Sequence, residues 1–281
     1  MPVRPRVVCA GLVTVDVMYF VDAHPAEGQK HQARAARMVA GGGALYAAAS
    51  VAALGGEAAL AGAIGDDLMG DFIRRELANM GIDTTSLITA PGVATAHSAI
   101  LINEAGERTV INHRDARLFS QPPPVDTPFD ALLVDTRWRS AAAALLPAAR
   151  KAGTPAVVDA EAPVAPIEDL LPLASHVAFS EQGLRDFTGD PGRDGVSEAA
   201  RRLQNWTCVT RGPRSVLMHD GVRVQESLVE PVEAKNTLGA GDVWHGAFAL
   251  ALAEGLAETD AVSKASAAAG RSVQKPVPLP D

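Results

Sequence analysis

The chain has 281 residues, 47% of them hydrophobic and 21% charged, with a formal net charge of −8. That length suffices for a large hydrophobic core without metal or disulfide staples, and the lack of any Lys/Arg block excludes the electrostatic footprint of a nucleic-acid binder. No apolar run reaches bilayer-spanning length and residues 1–6 carry no signal-peptide pattern, so a cytoplasmic protein without membrane partners is expected.

In chain order, short apolar runs predict buried strands over 7–12, 58–64, 131–134, 156–159, 176–179, 207–210 and 215–219. Ala-rich stretches with helical periodicity fall between them, at 44–54, 70–80, 140–151, 197–203 and 243–253. Strands alternating with helices imply an α/β fold whose mostly parallel sheet is covered on both faces. No repeat or low-complexity linker divides the chain, so 1–281 reads as one domain. Two segments depart from the pattern, about 13–40 and 93–114, where polar and apolar residues alternate. The second is a hairpin with its turn at Ala105-Gly106. Such hairpins predict a small β lid over one edge of the sheet; two surface hairpins without a gating role would read the same way. Cys9 and Cys208 lie in strand-like runs and read as buried thiols.

Glycine-rich turns carry the chemistry. Gly41-Gly42-Gly43 opens the helix at 44–54, where glycine lets backbone approach a ligand closely. Gly65-Asp66-Asp67 with Gly70 reads as a strand, a turn and a capped helix. The most specific turn is Gly239-Ala240-Gly241-Asp242, before the helix at 243–253. Small residues leave its amides unobstructed, and the helix N-terminus adds partial positive charge, which makes an anion site. Beside that site Asp242 could accept a hydroxyl proton while the amides hold a phosphoryl group. A plain helix N-cap is the other reading of the same aspartate. The turn is no dinucleotide fingerprint, because Trp244 stands where the third glycine would be, and no phosphate loop ending in Gly-Lys-Ser/Thr occurs.

Taken together, Asp16 after the first strand, Gly41–Gly43, Gly65-Asp66-Asp67-x-x-Gly70, Thr210-x-Gly212 and Asn236–Asp242 resemble the ribokinase-like (PfkB) carbohydrate kinases across nearly the whole chain. The resemblance implies the ribokinase-like fold with its β lid, ATP and Mg2+ as cofactors, and phosphorylation of a sugar hydroxyl. It implies Asp242 as base, with the Gly239, Ala240 and Gly241 amides as anion hole. Thr210 and Gly212 would lie along the nucleotide, with an adenine pocket near 267–273, and Asp16, Gly42 and Gly43 would hold sugar hydroxyls. It also implies a homodimer formed through the lid. The sequence departs from the family at Asn236, where Asp is usual, and at Tyr46, where Asn is usual. The Asn-x-x-Glu pattern that supports Mg2+ reads Ser180-Glu181-Gln182-Gly183, which leaves Glu181 as a shifted metal residue. The C-terminus, ending Pro280-Asp281, stops short of a final helix that many relatives carry.

Several stretches, among them Glu27-Gly28-Gln29-Lys30, Asp135-Thr136-Arg137-Trp138 and Gly241-Asp242-Val243-Trp244-His245-Gly246, are similar to the bacterial sulfofructose kinases within that family. That branch phosphorylates 6-deoxy-6-sulfofructose at its C1 hydroxyl, and its sulfonate-binding set is matched by Lys30, Asn112 and Arg137. Arg137 follows a strand, and open α/β sheets bind ligands beyond the carboxyl ends of their strands. A sugar phosphate, a neutral sugar such as fructose or ribose, a nucleoside, and a non-catalytic sugar or nucleotide sensor are the alternatives. His245, Trp244 and Trp138 read as packing residues near the site.

Overall fold

The computed structural model describes residues 4–274; the segment ending Pro280-Asp281 lies outside them. The main sheet is built from β1 (Arg6–Ala10), β4 (Glu57–Gly65), β5 (Leu87–Ala90), β8 (Ala131–Asp135), β9 (Ala156–Ala160), β10 (His176–Ser180), β11 (Trp206–Thr210), β12 (Ser215–His219) and β13 (Val224–Leu228). Their order across the sheet is β13-β12-β11-β10-β9-β8-β1-β4-β5. Seven strands from β5 to β11 run parallel, and β12 and β13 close one edge antiparallel. Both faces are buried, as period-two side-chain alternation requires. Val7 and Cys9 of β1 join one hydrophobic cluster, with Leu133 of β8. Val8, Ala10, Leu132 and Val134 join the other. Cys9 and Cys208 are free and buried, and burial pushes the Cys9 thiol up to about 12, which leaves it unreactive.

Helices α1 (Gly43–Ala53), α2 (Leu68–Met80), α6 (Ala240–Ala253) and α7 (Glu258–Val273) cover the first face, and α3 (Arg139–Ala152), α4 (Glu181–Thr188) and α5 (Arg193–Leu203) the second. A Cβ on Gly246 would sit 2.3 Å from the Ala47 carbonyl oxygen, so only glycine lets α6 pack backbone to backbone on α1. The Ser50 hydroxyl fastens the pair by donating to the Val243 carbonyl at 3.0 Å. This contact brings the N-termini of the two helices together, and with them the two glycine turns.

The remaining strands, β2 (Thr14–Phe20), β3 (Ala35–Gly41), β6 (His97–Ile102) and β7 (Arg108–His113), form a separate sheet in the order β3-β2-β6-β7. The two expected hairpins are joined into one lid by parallel pairing of β2 with β6, which sets Asp16 beside Ser98. Among the described residues, no helix is long and apolar enough to cross a membrane.

Candidate active site

Two cavities meet at the start of α6. One, of about 230 Å3, lies between the lid and the carboxyl ends of β8 and β9, walled by Asp16, Gly42, Gly43, Asn112, Arg137 and Asp242 among others. The other, of about 360 Å3 and mostly apolar, is lined by Thr210, Gly212, Val216, Val232, Gly241 and Trp244, and by Ser266, Ala269, Gly270 and Val273 of α7. Of the residues singled out from the sequence, the first cavity thus gathers six and the second Thr210, Gly212, Ala240 and Gly241.

The α6 helix begins at Ala240, three residues earlier than its apolar periodicity predicts, with Gly239 as N-cap in the left-handed region at φ 71°. Asp242 therefore lies in the first turn, and no side chain caps the helix. The N-cap reading of Asp242 is thereby corrected. Its Oδ1 is 2.9 Å from where a Cβ on Gly43 would be, so the bare backbone of α1 gives the carboxylate its place. Burial, and secondly the negative charge of Asp159, push Asp242 up to about 8, while His245 acts in the opposite sense. Gly241 has open space above it, so an anion has unobstructed access to the helix end.

Tyr46 links the turn to the lid. Its ring carbons are 3.1 Å from the Cβ position of Gly239, and its hydroxyl donates to Asp16, which also accepts from Ser98. Burial and the neighbouring Asp16 charge push the phenol above its ordinary range, so it remains a donor. Ser98 donates in addition to Asn112 Oδ1 at 2.8 Å.

Three further carboxylates escaped the sequence reading. Asp135 ends β8 and accepts from the Leu12 and Arg137 amides at 2.6 and 2.8 Å. Asp159 and Glu161 stand at the end of β9, and all three line the first cavity. The position of acidic residues at the carboxyl ends of parallel strands was the signal that could have found them. Burial raises Asp135 and raises Asp159 well above the ordinary carboxylate range. His245 packs beside these carboxylates. It is 3% exposed, its Nδ1 is 3.4 Å from Asp159 Oδ2, and burial depresses it while Asp242 pulls it up. Trp244 lines the apolar cavity, with its indole N–H donating to Ser266 at 3.2 Å, whereas Trp138 is buried and bonds the Gln121 carbonyl.

Two expected residues lie elsewhere. Lys30 is exposed in the loop between β2 and β3 and walls neither cavity. Glu181 opens α4 and pairs with Arg214. The Ser180 hydroxyl caps that helix through the Gly183 amide at 3.0 Å, and Glu181 also walls neither cavity. Arg137 pairs with Glu161 at 2.6 Å. Arg114, just past β7, is close enough for its charge to be felt against Arg137, with Asp135 and Glu161 partly offsetting that repulsion.

The model of the pfkB family carbohydrate kinases matches residues 4–278. This chain belongs to that family. It is a carbohydrate kinase, a phosphotransferase acting on an alcohol group, and ATP with Mg2+ is the cofactor pair of that chemistry. It is 25% identical to a ribokinase of Arabidopsis thaliana over 96% of this chain and 76% of the relative. It is 30% identical to a fructokinase of Klebsiella pneumoniae over 77% of this chain and 76% of the relative. Among solved structures, one assigned as a ribokinase from Agrobacterium tumefaciens is 37% identical with a TM-score of 0.91, covering 97% of this chain and 92% of that one. The Arabidopsis thaliana ribokinase complexed with ribose and ATP shares the fold, with a TM-score of 0.83 at 22% identity over 99% and 96% of the two chains.

Proposed function

We propose that this kinase phosphorylates a primary hydroxyl of an anionic ketose, such as 6-deoxy-6-sulfofructose, in the cavity between lid and sheet. The observation that carries the substrate class is Arg137 in the cavity wall together with the Asn112 amide of the lid, with the Arg114 charge close by. A guanidinium and an amide in the wall of one small cavity suit a tetrahedral anion. Lys30 would join them through a movement of its loop. Asp16, held by Tyr46 and Ser98, would accept from sugar hydroxyls beside Gly42 and Gly43.

In the mechanism, Asp242 takes the proton of the hydroxyl as its oxygen attacks the γ-phosphorus. The new P–O bond forms as the bond to the β-phosphate oxygen breaks, and ADP leaves. The Gly239, Ala240 and Gly241 amides and the α6 N-terminus would hold the equatorial oxygens. The apolar cavity beside Thr210 and Gly212 suits a purine. No group of three metal-ligating side chains occurs among the described residues. Mg2+ needs only one or two carboxylates beside phosphates and water, and Asp159 and Glu161 stand in the cavity wall. Asp159 and Glu161 would hold it in place of Glu181, and its chemistry there is neutralisation of phosphoryl charge.

A neutral sugar is the second reading, favoured by the Glu161 carboxylate already paired with Arg137 and by relatives named ribokinase and fructokinase. Turnover across 6-deoxy-6-sulfofructose, fructose 6-phosphate, fructose and ribose decides between them, and a higher kcat/KM for a neutral sugar would refute the anionic one. The lid face away from the cavity exposes Tyr19, Met38 and Ile111. Such an apolar patch suits the lid of a second copy, which light scattering tests.

A further inference from the structure

Tyr46 joins three elements that the roles above treat separately. It stands in the first turn of α1, where its backbone amide donates to the Gly42 carbonyl at 3.0 Å. Its hydroxyl donates to Asp16 on the lid strand β2. The three atoms nearest the Cβ position of Gly239 all belong to the Tyr46 ring, at 3.1, 3.1 and 3.5 Å, and Gly239 is the N-cap of α6. The same side chain walls the sugar-side cavity together with Leu238 and Asp242.

The hydroxyl and the ring have different consequences. Burial raises Asp16, whereas the bonds from Ser98 and Tyr46 lower it. A buried carboxylate that loses such a donor shifts towards its protonated form, and a protonated oxygen no longer accepts from a sugar hydroxyl. The ring acts at the other end. Gly239 is left-handed at φ 71°, no side chain caps α6, and Gly241 has open space above it. The amides at 239–241 take their direction from that turn, and the Tyr46 ring backs it from the α1 side. An asparagine at 46 would offer an amide but no flat surface for the turn to rest on.

We infer that Tyr46 is a positioning residue with two separable parts: its hydroxyl orients Asp16 for the sugar, and its ring holds the Gly239 turn that aims the phosphoryl-binding amides. This rests on the proposed roles of Asp16 and of the 239–241 amides. One side chain anchored on α1 thereby fixes the sugar-holding carboxylate and the anion hole in a single register.

The test is steady-state kinetics of the full chain with ATP and two sugars, fructose and 6-deoxy-6-sulfofructose, with thermal melts to check folding. Tyr46→Phe keeps the ring and removes the hydroxyl. It should raise the sugar KM about tenfold, the scale of one hydrogen bond to a charged group, with kcat within about threefold of wild type. Tyr46→Leu keeps apolar bulk without the flat face, and should lower kcat by a further tenfold or so, part of the effect of losing an anion-hole donor. Tyr46→Phe is nearly isosteric, so the hydroxyl half is testable even if Tyr46→Leu folds poorly. An unchanged sugar KM in Tyr46→Phe would overturn the assignment. So would a folded Tyr46→Leu whose kcat matches that of Tyr46→Phe. Asp16→Asn is the control: an unchanged sugar KM there would instead overturn the sugar site on which the inference rests.

Discussion

Gly43→Ala separates the catalytic geometry from stability. Gly43 is the first residue of α1, where alanine is the better helix former by up to about 1 kcal/mol, and no left-handed φ is recorded for it. Folding should therefore be unchanged or slightly strengthened. The added Cβ, however, would stand 2.9 Å from Asp242 Oδ1 and 3.9 Å from Asp135 Oδ2. Carbon and oxygen need several tenths of an ångström more, and α1 is fixed against α6 by the Gly246 contact, so the carboxylate must give way. A misplacement of about 1 Å costs about a hundredfold in rate, which puts the expected fall in kcat at tenfold or more. A coupled ADP-release assay reads the rate and a thermal melt reads the fold. Gly42→Ala is the contrast, because its Cβ would lie 2.3 Å from the Leu12 carbonyl oxygen at φ 100°, and it should lower the melting temperature. Undiminished kcat in a well-folded Gly43→Ala would refute the placement of Asp242 against α1.

Arg137→Ala should raise KM for an anionic sugar by about tenfold or more, a lost charged hydrogen bond, with little change for fructose; steady-state kinetics on both sugars reads the difference. Because Asp242 is held at about 8, kcat/KM should climb as pH rises through that value, in a pH–rate profile. The same shift sets stability. A carboxylate raised in the folded state contributes stability below its unfolded value near 4, and loses it as pH rises through about 8. Asp242→Asn should accordingly melt above wild type at pH 9, with the gap closing towards pH 4. Gly183→Ala would put a Cβ 1.8 Å from the Ala160 carbonyl oxygen and should destabilise by about 2–3 kcal/mol in urea.

Regular local signals made most of this legible from sequence. Buried parallel strands announce themselves as apolar runs, and seven such runs became β1, β4, β8, β9, β10, β11 and β12. The short edge strand β5 and the polar strand β13 escaped, since edge strands carry a weaker hydrophobic pattern. Helix α7 escaped because its small and polar residues, Ser263-Lys264-Ala265-Ser266, lack a wide apolar stripe. At the site, glycine turns were readable because few residue types permit their backbone. Asp135, Asp159, Glu161 and Arg114 were not, since a charged residue after a strand looks like any solvated surface group until the sheet brings several together. Glu181 shows the converse: motif position suggested a metal residue, whereas the side chain pairs with Arg214.

The most direct test of the account is the turnover of Asp242→Asn, measured as sugar phosphate formed from ATP, with Mg-ADP titration on the same preparation. The account predicts a loss of about a hundredfold to ten-thousandfold in kcat with ADP binding retained. Turnover within a few fold of wild type in the folded variant would contradict it.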